Sequence, residues 1–171
     1  MGKYIYKARN IRQKNSLGWS IILILIIVLA ILLSCLYFGN NKLNYKKYKI
    51  YESKIDKEFN EIINTIDADD KRYNANELSK RQIIEKYKKS SIKLEKLYDS
   101  FKWKKGDGAV KQLYTIKKYI IISYSQLYYN KAVALENNIA SNETEEIEYI
   151  NILTENYKKK DKTQKQIYNL Y

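Results

Sequence analysis

Histidine and proline are absent from the chain, cysteine occurs once, and glycine occurs five times in 171 residues. Without His, and with one Cys, most transition-metal sites, Cys–His pairs and Ser–His–Asp triads are excluded. A lone Cys has no disulfide partner within its own chain. The few glycines form neither GxxxxGK[ST] nor GxGxxG, so the common phosphate-cradling loops are missing as well. Proline and glycine are the strongest breakers of regular structure, and their scarcity favours long helices. Lys, Ile, Tyr and Asn dominate instead. All four have AT-rich codons, so the 18 tyrosines carry less functional weight than they would in a balanced composition.

No charged residue occurs between Lys14 and Lys42, and Trp19 to Phe38 reads WSIILILIIVLAILLSCLYF. Twenty helical residues rise about 30 Å, the thickness of a bilayer's hydrocarbon core. Trp19 at one end, with Tyr37 and Phe38 at the other, suits the two membrane interfaces. The expected organisation is a short basic tail over 1–18, a transmembrane signal-anchor over 19–38, and a helical domain over 39–171. Leu32-Leu33-Ser34-Cys35 resembles a bacterial lipobox and makes Cys35 a candidate lipidation site. The apolar run continues past that Cys, which favours an uncleaved anchor over a cleaved signal peptide. Basic residues are nearly balanced on the two sides of the span, so the positive-inside count does not set its direction. The short tail favours a cytoplasmic N-terminus and an extracytoplasmic domain, and the lack of Cys after the span fits that placement.

Beyond Asn41 the pattern is all-α. Tyr48, Tyr51, Ile55, Phe59, Ile62 and Ile66 recur at helical spacing, and the next segments repeat the theme. Four helices are expected, about 42–67, 75–103, 109–137 and 143–171. Asn74 to Glu77 reads as a capping box for the second. The fourth is expected to present Ile147, Ile150, Leu153, Tyr157, Gln164, Tyr168 and Tyr171. Similar lengths and short connections predict an antiparallel up-down-up-down four-helix bundle. An oligomeric coiled coil is the runner-up, because the apolar positions drift from a strict heptad seam.

Charge is sorted along the expected helices. Residues 40–54, 93–111 and 158–171 carry net +4, +3 and +4, whereas 60–80 and 131–150 carry −2 and −4. In an up-down bundle the basic zones share the end nearer the span and the acidic zones share the far tip. Helix-dipole complementarity accounts for the second and fourth helices but not for the first, which begins with lysines. Anionic head groups attract nearby Lys, so Lys102, Trp103, Lys104 and Lys105 are candidate membrane-interface residues alongside Trp19, Tyr37 and Phe38. Asp67, Asp69, Asp70, Glu143, Glu145 and Glu146 form the expected acidic tip. Asp67-Ala-Asp69-Asp70 departs from a calcium loop at Lys71, Arg72 and Leu78. Tyr and Lys interleave over Lys111–Tyr129, a composition also used to hold single-stranded nucleic acid.

The sequence therefore predicts a membrane-anchored, non-enzymatic binding or scaffolding component of a cell-envelope complex. No cofactor, metal or small-molecule substrate is expected. The bilayer and a protein partner or second copy of the chain are the expected partners. A membrane-tethered nucleic-acid binder, or a lipoprotein anchored through Cys35, is the alternative.

Overall fold

The computed structural model describes the backbone of residues 2–106, 108–138 and 143–170, and the side chains of 22–106, 108–138 and 147–169. The described residues are all-helical, with four helices and no strand: α1 (Gly2–Asn74), α2 (Lys80–Ser100), α3 (Gly108–Glu136) and α4 (Glu143–Leu170). The chain divides into two compact units, Met1–Lys42 and Leu43–Tyr171.

In the first unit, every large apolar residue described from Ile22 to Phe38 is exposed, from 46% for Val28 to 70% for Leu36. This stretch makes α1 the one described helix long and apolar enough to cross a membrane. Ser34 returns its hydroxyl to the Ala30 carbonyl at 2.8 Å, which satisfies the one polar side chain at that level within its own helix. Gly39, Asn40 and Asn41 also lie inside α1. One mid-helix glycine costs only about 1 kcal/mol, too little to end so long a helix by itself.

The second unit has its own core. Tyr48, Ile55, Phe59 and Ile66 of α1 are buried with Ile83, Tyr87, Leu94 and Leu97 of α2. α3 packs against both α2 and α4, and its buried set is accordingly wide, including Leu113, Ile116, Ile120, Ile121, Leu127 and Tyr128. Where α2 meets α3, the Ser91 and Ser125 hydroxyls lie 2.9 Å apart, and Ser125 also donates to the Ser91 carbonyl at 3.0 Å. Small, mutually satisfied hydroxyls let the two backbones approach without stranding a polar atom.

α1 ends later than the expected residue 67, because its polar last turns find partners. Asp69 is buried against Lys86 of α2, and Asp70 faces Lys131 of α3 at 3.9 Å. The stop is a Schellman motif. Asn76 takes φ 60°, its N–H bonds the Tyr73 carbonyl, and the Glu77 N–H bonds the Arg72 carbonyl. This moves the start of α2. The capping box is Ser79 with Gln82, not Asn74 with Glu77, since Asn74 still belongs to α1 and Asn76 makes the turn. At the other end α2 stops at Ser100, earlier than the expected 103, and the fully buried Phe101 is its C-cap.

α4 departs furthest from expectation. Among its described residues the buried side chains are Leu153, Thr163 and Ile167, with Tyr149, Asn156, Lys160 and Gln164 half-buried, whereas Ile147, Ile150, Tyr157 and Tyr168 of the expected face are exposed. The packed face therefore runs 149, 153, 156, 160, 163 and 167, rotated from the apolar face read in the sequence. Tyr171 lies outside the described residues.

Candidate functional site: an aromatic clamp above a buried ionic layer

The α2–α3 connection is fixed to the first turns of the second unit by aromatic rings. Trp103 stacks on Tyr51 at 5.6 Å and meets Tyr48 edge-on at the same distance. Phe101 packs against Tyr51 at 5.5 Å and against Tyr114 of α3 at 4.9 Å. The rings also hold the backbone. The Tyr51 hydroxyl donates to the Ser100 carbonyl at 3.2 Å and accepts the Lys102 N–H at 3.0 Å, while the Tyr114 hydroxyl donates to the Phe101 carbonyl at 2.9 Å. Edge-on and offset aromatic pairs add about 0.5–1.5 kcal/mol each beyond area burial. Lys102, Lys104 and Lys105 project from this clamped loop and are exposed, whereas Trp103 is half-buried.

One turn along α1 from Tyr48 lies a feature that pattern reading missed. Glu52 is fully buried and carries two ammonium partners, Lys49 at 2.7 Å and Lys160 of α4 at 3.0 Å. One turn further, Asp56 pairs with Lys117 of α3, whose ammonium lies 4.3 Å from the centre of the Phe59 ring. Carboxylates of α1 thus tie α3 and α4, Glu52 from full burial and Asp56 from a partly exposed position. Burial pulls the Lys117 pKa down, and the Asp56 bond offsets only part of that. Burial also opposes the charge on Lys49, but the Glu52 bond and charge outweigh it and raise its pKa. The phenols of Tyr48, Tyr128 and Tyr157 are pushed up, foremost by burial, with Glu52 and Asp56 adding for Tyr48. The available signal for Glu52 was its phase: it lies between Tyr48, Ile55 and Phe59 on the apolar stripe.

The remaining sequence-predicted residues fall in several places. Tyr37 and Phe38 are exposed and meet each other edge-on at 5.8 Å, and Cys35 is a free, exposed thiol. Trp19 lies on α1 and Glu143, Glu145 and Glu146 on the first turn of α4, with side chains outside the described residues. Of the aspartates, Asp67 is exposed, while Asp69 accepts Lys86 on both oxygens at 2.8 Å. The Tyr–Lys set of α3 is spread around the helix. Lys117 and Tyr128 are buried, Lys118 lies 3.7 Å over the Tyr98 ring, and Tyr119 and Tyr129 are exposed.

No protein-family model, curated protein or solved structure matches this chain. The chemistry therefore rests on the groups just described: an apolar helix without a protein cover, a clamped loop bearing lysines, and carboxylates already neutralised by ammonium groups.

Proposed function

We propose that the protein is a single-pass membrane protein whose helical unit stands outside the cytoplasm and acts by binding, as a scaffolding component of a cell-envelope complex. The observation that carries this reading is the exposed, uncharged segment of α1. An apolar surface of that extent marks a membrane or an interface, and its length matches a bilayer. The absence of Cys from residues 43–171 fits an oxidising compartment.

In this reading Leu43–Tyr171 is an antiparallel up-down-up-down bundle. Support comes from side chains meeting at two levels. Tyr51 touches the α2–α3 loop and Glu52 pairs with Lys160 of late α4. At the other level Asp69 of late α1 pairs with Lys86 of early α2, and Lys88 pairs with Glu136 at the end of α3. The proposal of binding as the mode of action draws on how the unit uses its charges: those buried in it hold helices together, while its exposed lysines face outward.

Fractionation of cells followed by protease treatment of intact cells tests the reading. The expected result is recovery with membranes and digestion of the helical unit from outside. Recovery with cytosol, or a unit protected until the cells are lysed, overturns it. Crosslinking in intact membranes then tests scaffolding, which predicts a specific adduct with another envelope protein or a second copy.

A further inference from the structure

An open groove of about 480 Å³ lies between the start of the second unit and the last turns of α4, lined by Tyr45, Lys49, Gln164, Lys165, Tyr168 and Asn169. Two ammonium groups, two amides and two phenols line it, and no carboxylate does. Its volume falls within the ~300–1,000 Å³ of small-molecule sites. Lys49 shares the one carboxylate of Glu52 with Lys160, so that cluster carries an excess positive charge. Tyr168 is 83% exposed. Such a ring, apolar in body and polar at the tip, is at home in the interfacial zone of a bilayer.

We propose that this groove binds the phosphate head group of an anionic phospholipid. The inference rests on the membrane-anchored reading and names a ligand for it. Tyr45 follows the last aromatic residue of the apolar stretch, Phe38, by seven positions in the chain. Lys46 and Lys47, also exposed, add to the attraction, which fades over about a Debye length from the surface. Asp161, one turn before Lys165 on α4, is the nearest acid in the sequence on that face and is exposed. With Glu52, which Lys49 and Lys160 share, it stands against Lys46, Lys47, Lys49, Lys160 and Lys165. A free phosphate in an open, solvated groove gains only screened attraction, whereas a lipid head group is delivered at high local concentration by the anchor.

The test uses the full-length protein in mild detergent, with bound phosphatidylglycerol and phosphatidylcholine counted by native mass spectrometry. The expected result is a preference of about tenfold for phosphatidylglycerol, from the charge difference at the lysines. Lys165→Glu with Tyr168→Ala should abolish it. Lys93→Glu with Lys96→Glu, a larger charge change in a different groove lined by Glu58 and Glu61, should leave it. Helix content by circular dichroism checks both variants, and Lys165→Gln replaces the first should it fail to fold, with a several-fold loss expected. Equal retention of the two lipids, or equal loss in both double variants, overturns the site. Displacement of phosphatidylglycerol by inorganic phosphate reassigns it to free anions and also overturns the lipid. Extraction of membranes at alkaline pH separates the two claims. An extractable protein fails as an anchored one, whereas an embedded protein indifferent to head-group charge fails only here.

Discussion

Glu52 and Lys117 have different surroundings, and their replacement should have different consequences. Glu52 is fully buried and serves Lys49 and Lys160 together. Glu52→Ala leaves Lys160 buried without a counter-charge, and such breaks cost about 3–5 kcal/mol. Lys49 is partly exposed and can rehydrate, so the expected loss lies near the lower bound, about 3 kcal/mol, read from urea unfolding of the protein in micelles. Pairing Glu52→Leu with Lys160→Met removes both charges, and the double variant should lose less than Glu52→Ala alone. Lys117→Met keeps the apolar stem beneath Phe59 and removes an ammonium that burial disfavours. Its partner Asp56 is about one-third exposed and can return to water. That variant should be neutral or slightly stabilising, within about 1 kcal/mol. Little of this was legible in the sequence. An acid within an apolar stripe marks Glu52 as unusual, but Lys160 lies on another helix, and no spacing rule joins them.

Helix ends and faces divide into those set by local chemistry and those set by tertiary partners. The apolar faces of the first two helical segments were readable because Tyr48, Ile55, Phe59, Ile83, Leu94 and Leu97 are both apolar and buried. The packed face of α4 escaped pattern reading because it includes Thr163, Asn156 and Lys160: Thr163 satisfies its hydroxyl on the Lys159 carbonyl of its own helix and Lys160 pairs with Glu52 of α1, while Ile147 and Ile150 stay in solvent. Two motifs of similar appearance competed at the α1–α2 turn, and Ser79–Gln82 prevailed because Asn76 had already adopted φ 60°. Asn76→Gly should keep or raise stability and Asn76→Ala should lower it by about 1 kcal/mol, since only a residue at ease in the left-handed region serves there. The α2–α3 loop offers a sharper contrast. Gly106 has φ 105°, and a Cβ on it would lie 2.8 Å from the Cβ of buried Val110, whereas a Cβ on Gly108 meets nothing within 4 Å. Gly106→Ala should cost roughly 1–3 kcal/mol by thermal or urea unfolding, and Gly108→Ala essentially nothing. Both fall between the expected second and third helices, and nothing in the sequence tells them apart.

At the scale of the whole molecule, the buried phenols set the alkaline limit. An unfolded tyrosine titrates near 10.0, and burial raises Tyr48, Tyr128 and Tyr157 above it. Above pH 10 the unfolded chain therefore holds fewer protons than the folded one, and stability falls as pH rises. For the nearly inaccessible Tyr48 and Tyr128 the slope reaches roughly 2–3 kcal/mol per pH unit at most; the more exposed Tyr157 adds a solvent-screened share. Lys117 acts oppositely between its lowered value and 10.5, where the unfolded chain binds the extra proton. Lys49, raised above 10.5, joins the loss beyond that point. Urea midpoints should drop steeply above pH 10.5, where Lys117 no longer offsets the phenols and Lys49 adds to the loss. A flat profile to pH 12 would remove the assignment of buried, protonated phenols.

This alkaline sensitivity sharpens the test of the membrane anchor. Sodium carbonate at high pH loosens the helical unit and strips proteins held at the surface by charge, yet a lipid-embedded apolar helix is indifferent to both. Membranes from cells making the full-length protein, washed in alkaline carbonate and sedimented, should retain essentially all of it in the pellet. Release into the supernatant, with an authentic single-pass protein retained alongside, would contradict the account.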